Sequence, residues 1–139
     1  MPNICWNTVT ITANASTITT LTDANLSFET LYPRPADVDW YEWNTEHYGT
    51  KWDRGNYKVL QHGKEGLRAT FDTAWAPPLP FFEKLLASYP DAWFKLEWTT
   101  EDGLAGVWVA YTKEGTSVIK TLEWEEMCLE EGSHRFRPL

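Results

Sequence analysis

The chain of 139 residues is long enough for one well-packed domain, read here as 1–139, and too short for two. Nine Trp, six Tyr and six Phe make 15% of it aromatic within an apolar share of 42%, a composition that buries a core and excludes disorder. The formal charge of −8 excludes a chain-wide basic footprint for DNA or RNA, and no apolar run approaches the roughly 20 residues of a membrane span.

The opening MPNICWN has no basic stretch leading into an apolar core, so the expectation is a cytoplasmic chain with no secretory signal. Cys5 and Cys128 are expected as free thiols. These cysteines and His47, His62 and His134 are scattered singly, which points to no metal site. Residues 3–12 alternate with period two and predict a strand, with Cys5, Val9 and Ile11 on one side and Trp6, Thr8, Thr10 and Thr12 on the other. Asn14 to Asn25 reads as a helix of poor intrinsic propensity, held by packing. Residues 26–32 read as a short alternating segment, stopped by Pro33-Arg34-Pro35. Asp37 is the expected cap of a helix to about His47 that carries Trp40, Trp43 and His47 on one side, and 50–56 is loop.

Two strands, 57–62 and 67–74, are joined by a turn at Gly63–Gly66. Ala76-Pro77-Pro78 opens a helix through Phe81, Phe82, Leu85 and Leu86. Residues 92–100, 104–112 and 117–124 read as a meander, followed by an acidic tail at about 125–139. The order is that of a split βαβ plait of class α+β, with an extra C-terminal hairpin and a Trp-rich insertion at about 33–56. Strand parity directs Val9/Ile11, Leu67/Phe71, Phe94/Leu96/Trp98 and Val107/Val109/Tyr111 toward the helices. The opposite face would then carry Trp6, Arg68, Thr70, Asp72, Trp93, Lys95, Glu97 and Trp108. The Trp-rich insertion packed on the sheet over that open face would make a second core, the favoured reading over a stacking platform.

Three blocks carry a family resemblance: Asn3-x-Cys5-Trp6-Asn7-x-x-x-Ile11; Trp40-Tyr41-x-Trp43 with Gly49-Thr50-Lys51-Trp52-Asp53; and Phe71-x-Thr73-Ala74-Trp75-x-Pro77-Pro78, running on to Gly106-Val107-Trp108. Over roughly residues 3–112 the chain resembles the YubB-type ferredoxin-like domain of plasmid and phage proteins. The resemblance implies that fold and a mobile-element origin, and it implies no activity or ligand.

Segment 51–68 holds Lys51, Arg54, Lys58, Lys64 and Arg68 against Asp53 and Glu65, a local +3 that leaves −11 for the rest. Beside Trp43 and Trp52 such an island suits an anionic aromatic ligand, with rings on the base and cations on the phosphates. The alternative is a solvated hairpin edge blunted by Lys. Catalysis has little support: Asp53 and Asp72 are the best carboxylates, but a turn or capping role is favoured for Asp53, and no nucleophile–base spacing or phosphate loop is present. The expectation is therefore a non-enzymatic binding protein without cofactors. It would serve a phage or plasmid in counter-defence by sequestering a nucleotide-like signal through Trp43, Trp52, Lys51, Arg54 and Arg68, with no direct contact to nucleic acid or membrane. The alternative is an acidic inhibitor of a host protein that imitates nucleic acid through the 123–131 glutamates.

Overall fold

In the computed structural model, which describes residues 3–128 and 134–138, alternation in the sequence becomes one antiparallel sheet. Its strands are β1 (Ile4–Thr12), β2 (Gly55–Gly63), β3 (Gly66–Ala74), β4 (Trp93–Thr100), β5 (Leu104–Lys113), β6 (Thr116–Cys128) and β7 (His134–Pro138), in the order β2-β3-β1-β4-β5-β6-β7. Among the described residues four helices accompany it: α1 (Ala15–Asp23), α2 (Phe28–Leu31), α3 (Trp40–His47) and α4 (Leu79–Ser88). The residues expected as an acidic tail extend the sheet as the end of β6 and as β7; Glu130 and Glu131 lie outside the described residues. Among the described residues no helix is long and apolar enough to cross a membrane.

The core lies between one sheet face and the helices. Ile18 and Leu21 of α1, Phe28 of α2 and Phe81, Phe82, Leu85 and Leu86 of α4 meet Val9, Ile11, Leu67, Phe71, Phe94 and Leu96 of the sheet. Parity holds in β1, β3 and β4, because each alternates a mainly apolar buried set, closed by Asn7, Thr73 and Thr100 at one end, with a more polar one. It is reversed in β5: Trp108 and Ala110 are buried, and Val107, Val109 and Tyr111 turn outward. The cause is steric. Gly106 stands in register with Trp98, and a Cβ there would come within 2.2 Å of the Trp98 ring. Small Gly106 and Ala110 thus flank Trp108, whose ring packs against Phe82 and Phe94.

Three further expectations are corrected. Residues 26–32 do not extend; 28–31 form α2, because Ser27 caps Thr30 N at 3.3 Å and the Asp53 carboxylate accepts from the Ser27 hydroxyl and the Phe28 N–H at 2.7 and 2.8 Å. The cap of α3 is Asp39, not Asp37. The insertion forms no second core over the open face. Its Trp43 and Tyr48 pack toward the helix side with Phe28, while Trp40, Trp52, Trp6 and Trp93 stay exposed.

Candidate functional site

Two sequence blocks meet at one end of the sheet. The Thr50 hydroxyl donates to the Ala74 carbonyl and accepts from the Ala74 N–H, at 3.0 and 2.9 Å, which fastens the 49–53 loop to the end of β3. Gly49, at φ +83, lies against Pro80 where any Cβ would clash at 2.5 Å. Buried Asn44 of α3 donates to the Lys51 carbonyl at 2.8 Å and accepts from Arg34 at 3.2 Å. Asn7, buried at the start of β1, donates to the Thr73 hydroxyl at 3.0 Å, and Thr73 donates to the Ala76 carbonyl at 2.7 Å. The loop and the strand-to-helix corner are therefore rigid, as a binding constellation requires.

On this frame Lys51 Nζ sits 5.0 Å from the Trp52 ring and 5.6 Å from the Trp75 ring, one cation shared by two aromatic faces. Tyr41 meets Trp75 edge-on at 6.1 Å. Beside Trp52, which is 46% exposed, opens a cleft of about 330 Å³ lined also by Asn56, Asp72, Thr73 and Glu101. Asp72 Oδ2 accepts from Asn56 Nδ2 at 2.6 Å, and Glu101 Oε1 accepts from the Ile4 N–H at 2.8 Å. Each carboxylate keeps its other oxygen without a hydrogen bond among the described residues. The cleft thus offers one flat aromatic wall and two oriented acceptors.

The five residues grouped by sequence proximity do not converge. Trp52 and Lys51 do. Trp43 belongs to the helix side, stacked on His47 at 4.2 Å with Lys84 Nζ 5.2 Å above it. Burial there lowers the Lys84 pKa, against a smaller raising effect of Glu46. Arg54 donates from Nε to the Asn25 carbonyl at 3.0 Å and covers the Tyr57 ring. Arg68 lies near the far end of β3, four residues and about 13 Å from Asp72. Asp72 and Glu101 were not expected as ligand groups, and they reach one cleft only because β3 and β4 both end beside the start of β1.

The residues best suited to chemistry are held otherwise. Asp53 takes the N–H groups of Phe28, Glu29 and Arg54 along with the Ser27 hydroxyl, the capping role expected of it. Burial pushes the Cys5 thiol up to about 12, partly offset by its contact with Thr73, so it is no nucleophile at neutral pH. A family model described as "Ferredoxin-like domain in Api92-like protein" matches residues 41–136, about two thirds of the chain, from the start of α3 through β7. No curated protein and no solved structure matches.

Proposed function

The chain belongs to that family of ferredoxin-like domains, and from this premise we propose that it is a non-enzymatic binding protein whose Trp52 cleft takes a nucleobase-type ligand. The observation that carries the reading is the exposed Trp52 ring beside the Asp72 and Glu101 carboxylates. A nucleobase has a π-face for stacking and N–H edges that carboxylates accept, and stacking on an aromatic side chain contributes about 1–3 kcal/mol. The two carboxylates repel phosphate, so a nucleotide would enter base first, with its phosphate outside toward Lys51. The engagement of Asp53 as a cap and the neutral Cys5 thiol support binding over turnover.

The order β2-β3-β1-β4 with α1 and α4 is read as the split βαβ plait, extended by three strands. The motif resemblance to plasmid and phage proteins supplies the setting. There a binder of this kind would lower the free concentration of a nucleotide signal of the host. Titration calorimetry against cyclic and ADP-ribose-type nucleotides tests the reading. Submillimolar binding of at least one, weakened about 5- to 150-fold in Trp52→Ala, is the expected result. Binding by none of them, or equal binding by Trp52→Ala, overturns it.

A further inference from the structure

We infer that the open face of the sheet binds single-stranded nucleic acid. It adjoins the Trp52 cleft at Asp72, is centred elsewhere, and does not depend on that cleft being occupied. The face opposite the helices is set by register. Trp6, Thr8, Thr10 and Thr12 of β1 stand beside Thr99, Glu97, Lys95 and Trp93 of β4 and, for the first three, beside Asp72, Thr70 and Arg68 of β3. Val107 and Val109 of β5 and Leu122 and Lys120 of β6 continue the same rows. Among the described residues no helix lies over them: Trp6 is 47% exposed and Leu122 61%.

The chain-wide charge of −8 argues against a nucleic-acid partner, but the charge is divided between the faces. Up to Glu125, Lys58, Arg68, Lys95, Lys113 and Lys120 fall on the open side against Asp72 and Glu97. Lys95 Nζ lies 3.3 Å from Glu97 Oε1, so the excess of positive charge rests on Lys58, Arg68, Lys113 and Lys120. Glu123 and Glu125 of β6 fall on the helix side by the same register. Arg68, Lys95 and Lys120 lie in one row across the sheet, roughly 9–10 Å from one to the next. Trp93 closes one end of the face and Trp6 the other, about 20 Å apart along β4.

This pairing of a cationic row with exposed rings is the chemistry that recognises unpaired strands, because bases stack on aromatic faces while phosphates meet cations. Two shallow hollows interrupt the face at suitable places. One of about 280 Å³ lies between Trp6 and Trp124 with Thr99 at its wall, and one of about 350 Å³ adjoins Arg68, His62 and Thr10. Threonine hydroxyls fill the middle of the sheet and can bond phosphate or ribose without a charge penalty. A duplex, whose bases are hidden, would gain nothing from Trp6 and Trp93.

Fluorescence anisotropy of labelled ten-nucleotide oligo-dT and oligo-U, titrated with the full chain, tests the inference. Micromolar binding is expected at 50 mM salt. If three phosphates are neutralised, the affinity falls about 15- to 20-fold by 200 mM salt, at roughly 0.7 in the logarithmic slope per phosphate. Trp93→Ala should weaken binding about 5- to 150-fold, and Arg68→Glu with Lys120→Glu should flatten the salt slope. Trp52→Ala should leave binding unchanged, which separates this site from the nucleotide cleft. A preference for oligo-U or for oligo-dT supports the inference equally and names the natural strand. It is overturned if neither oligomer binds at 100 µM protein, if duplex competes as well as single strand, or if Trp93→Ala and the double charge reversal bind like the native chain.

Discussion

The two faces of the sheet use the same residue type for opposite ends. On the helix side Trp98 and Trp108 are buried, each fitted to a small neighbour across or along the strand. On the open side Trp6 is 47% exposed beside Thr99 and Asp72, and Trp93 is 36% exposed beside Thr12. Exposing five indole rings, Trp40, Trp52 and Trp75 included, costs hydrophobic stabilisation that closer packing of the insertion could have recovered. The insertion instead supports the helix side and leaves the rings free. The excess of tryptophan is therefore divided between buried and exposed rings along the plane of the sheet.

The largest effect that tests this division is Trp108→Ala. Its ring fills the space between Phe82 and Phe94, so the variant should lose about 3–5 kcal/mol in urea unfolding. Trp93→Ala, on the same sheet but about one third exposed, should lose less, about 1–2 kcal/mol. Equal losses for the two would erase the distinction between faces.

A second, smaller effect comes from pH. Burial holds the Cys5 thiol at about 12 in the folded chain against 9.0 ordinarily, and burial likewise holds the Tyr48 phenol at about 12 against 10.0. Both groups keep their protons when folded and lose them when unfolded, so their contribution is complete below pH 9 and declines as pH rises toward 12. Lys84, whose pKa is lowered, acts in the opposite sense and offsets part of the decline. The Cys5 component amounts to roughly 2–3 kcal/mol between pH 9 and 11. Urea midpoints should therefore fall over that range, and Cys5→Ala, though weaker at pH 8, should show a shallower fall. An identical slope in the variant would remove Cys5 from the account.

Much of this was legible in the sequence where local alternation carried it. β1, β3 and β4 each pair an apolar parity with a polar one, and their inward sets are buried as the period-two pattern demands. β5 is apolar on both parities, so Val107, Val109 and Tyr111 outweighed Gly106, Trp108 and Ala110 until register placed Gly106 against Trp98. Residues 28–31 were misread as extended because their helix is completed by Asp53, which lies 25 residues away from Phe28. Lys51 and Trp52 lie together as expected because they are adjacent in one block. Arg68 and Trp43 were added through nearness in sequence, and strand length and helix face then carried them elsewhere. Asp72 and Glu101 are 29 positions apart, and only the shared end of β1 brings them together.

The smallest expected effect concerns Trp75, where the two uses of tryptophan meet. Its φ of +69 is a left-handed conformation that a bulky side chain adopts at a cost of about 1–2 kcal/mol. The surrounding bonds impose it: Trp75 N donates to the Asn3 carbonyl at 2.8 Å, Thr50 clasps Ala74 before it, and Thr73 holds the Ala76 carbonyl after it. A glycine would satisfy that backbone at no steric cost, yet the position carries a ring 42% exposed against Lys51 and Tyr41. Trp75→Gly relieves the strain and forfeits a cation–π contact of about 0.5–1 kcal/mol, so stability should change by no more than about 1 kcal/mol in either direction. Lys51 would then lose one of the two rings that hold it beside Trp52, and nucleotide affinity should drop a few-fold while the fold persists. A loss of stability well beyond that range would instead make Trp75 a packing residue and move the boundary between the two populations of tryptophan.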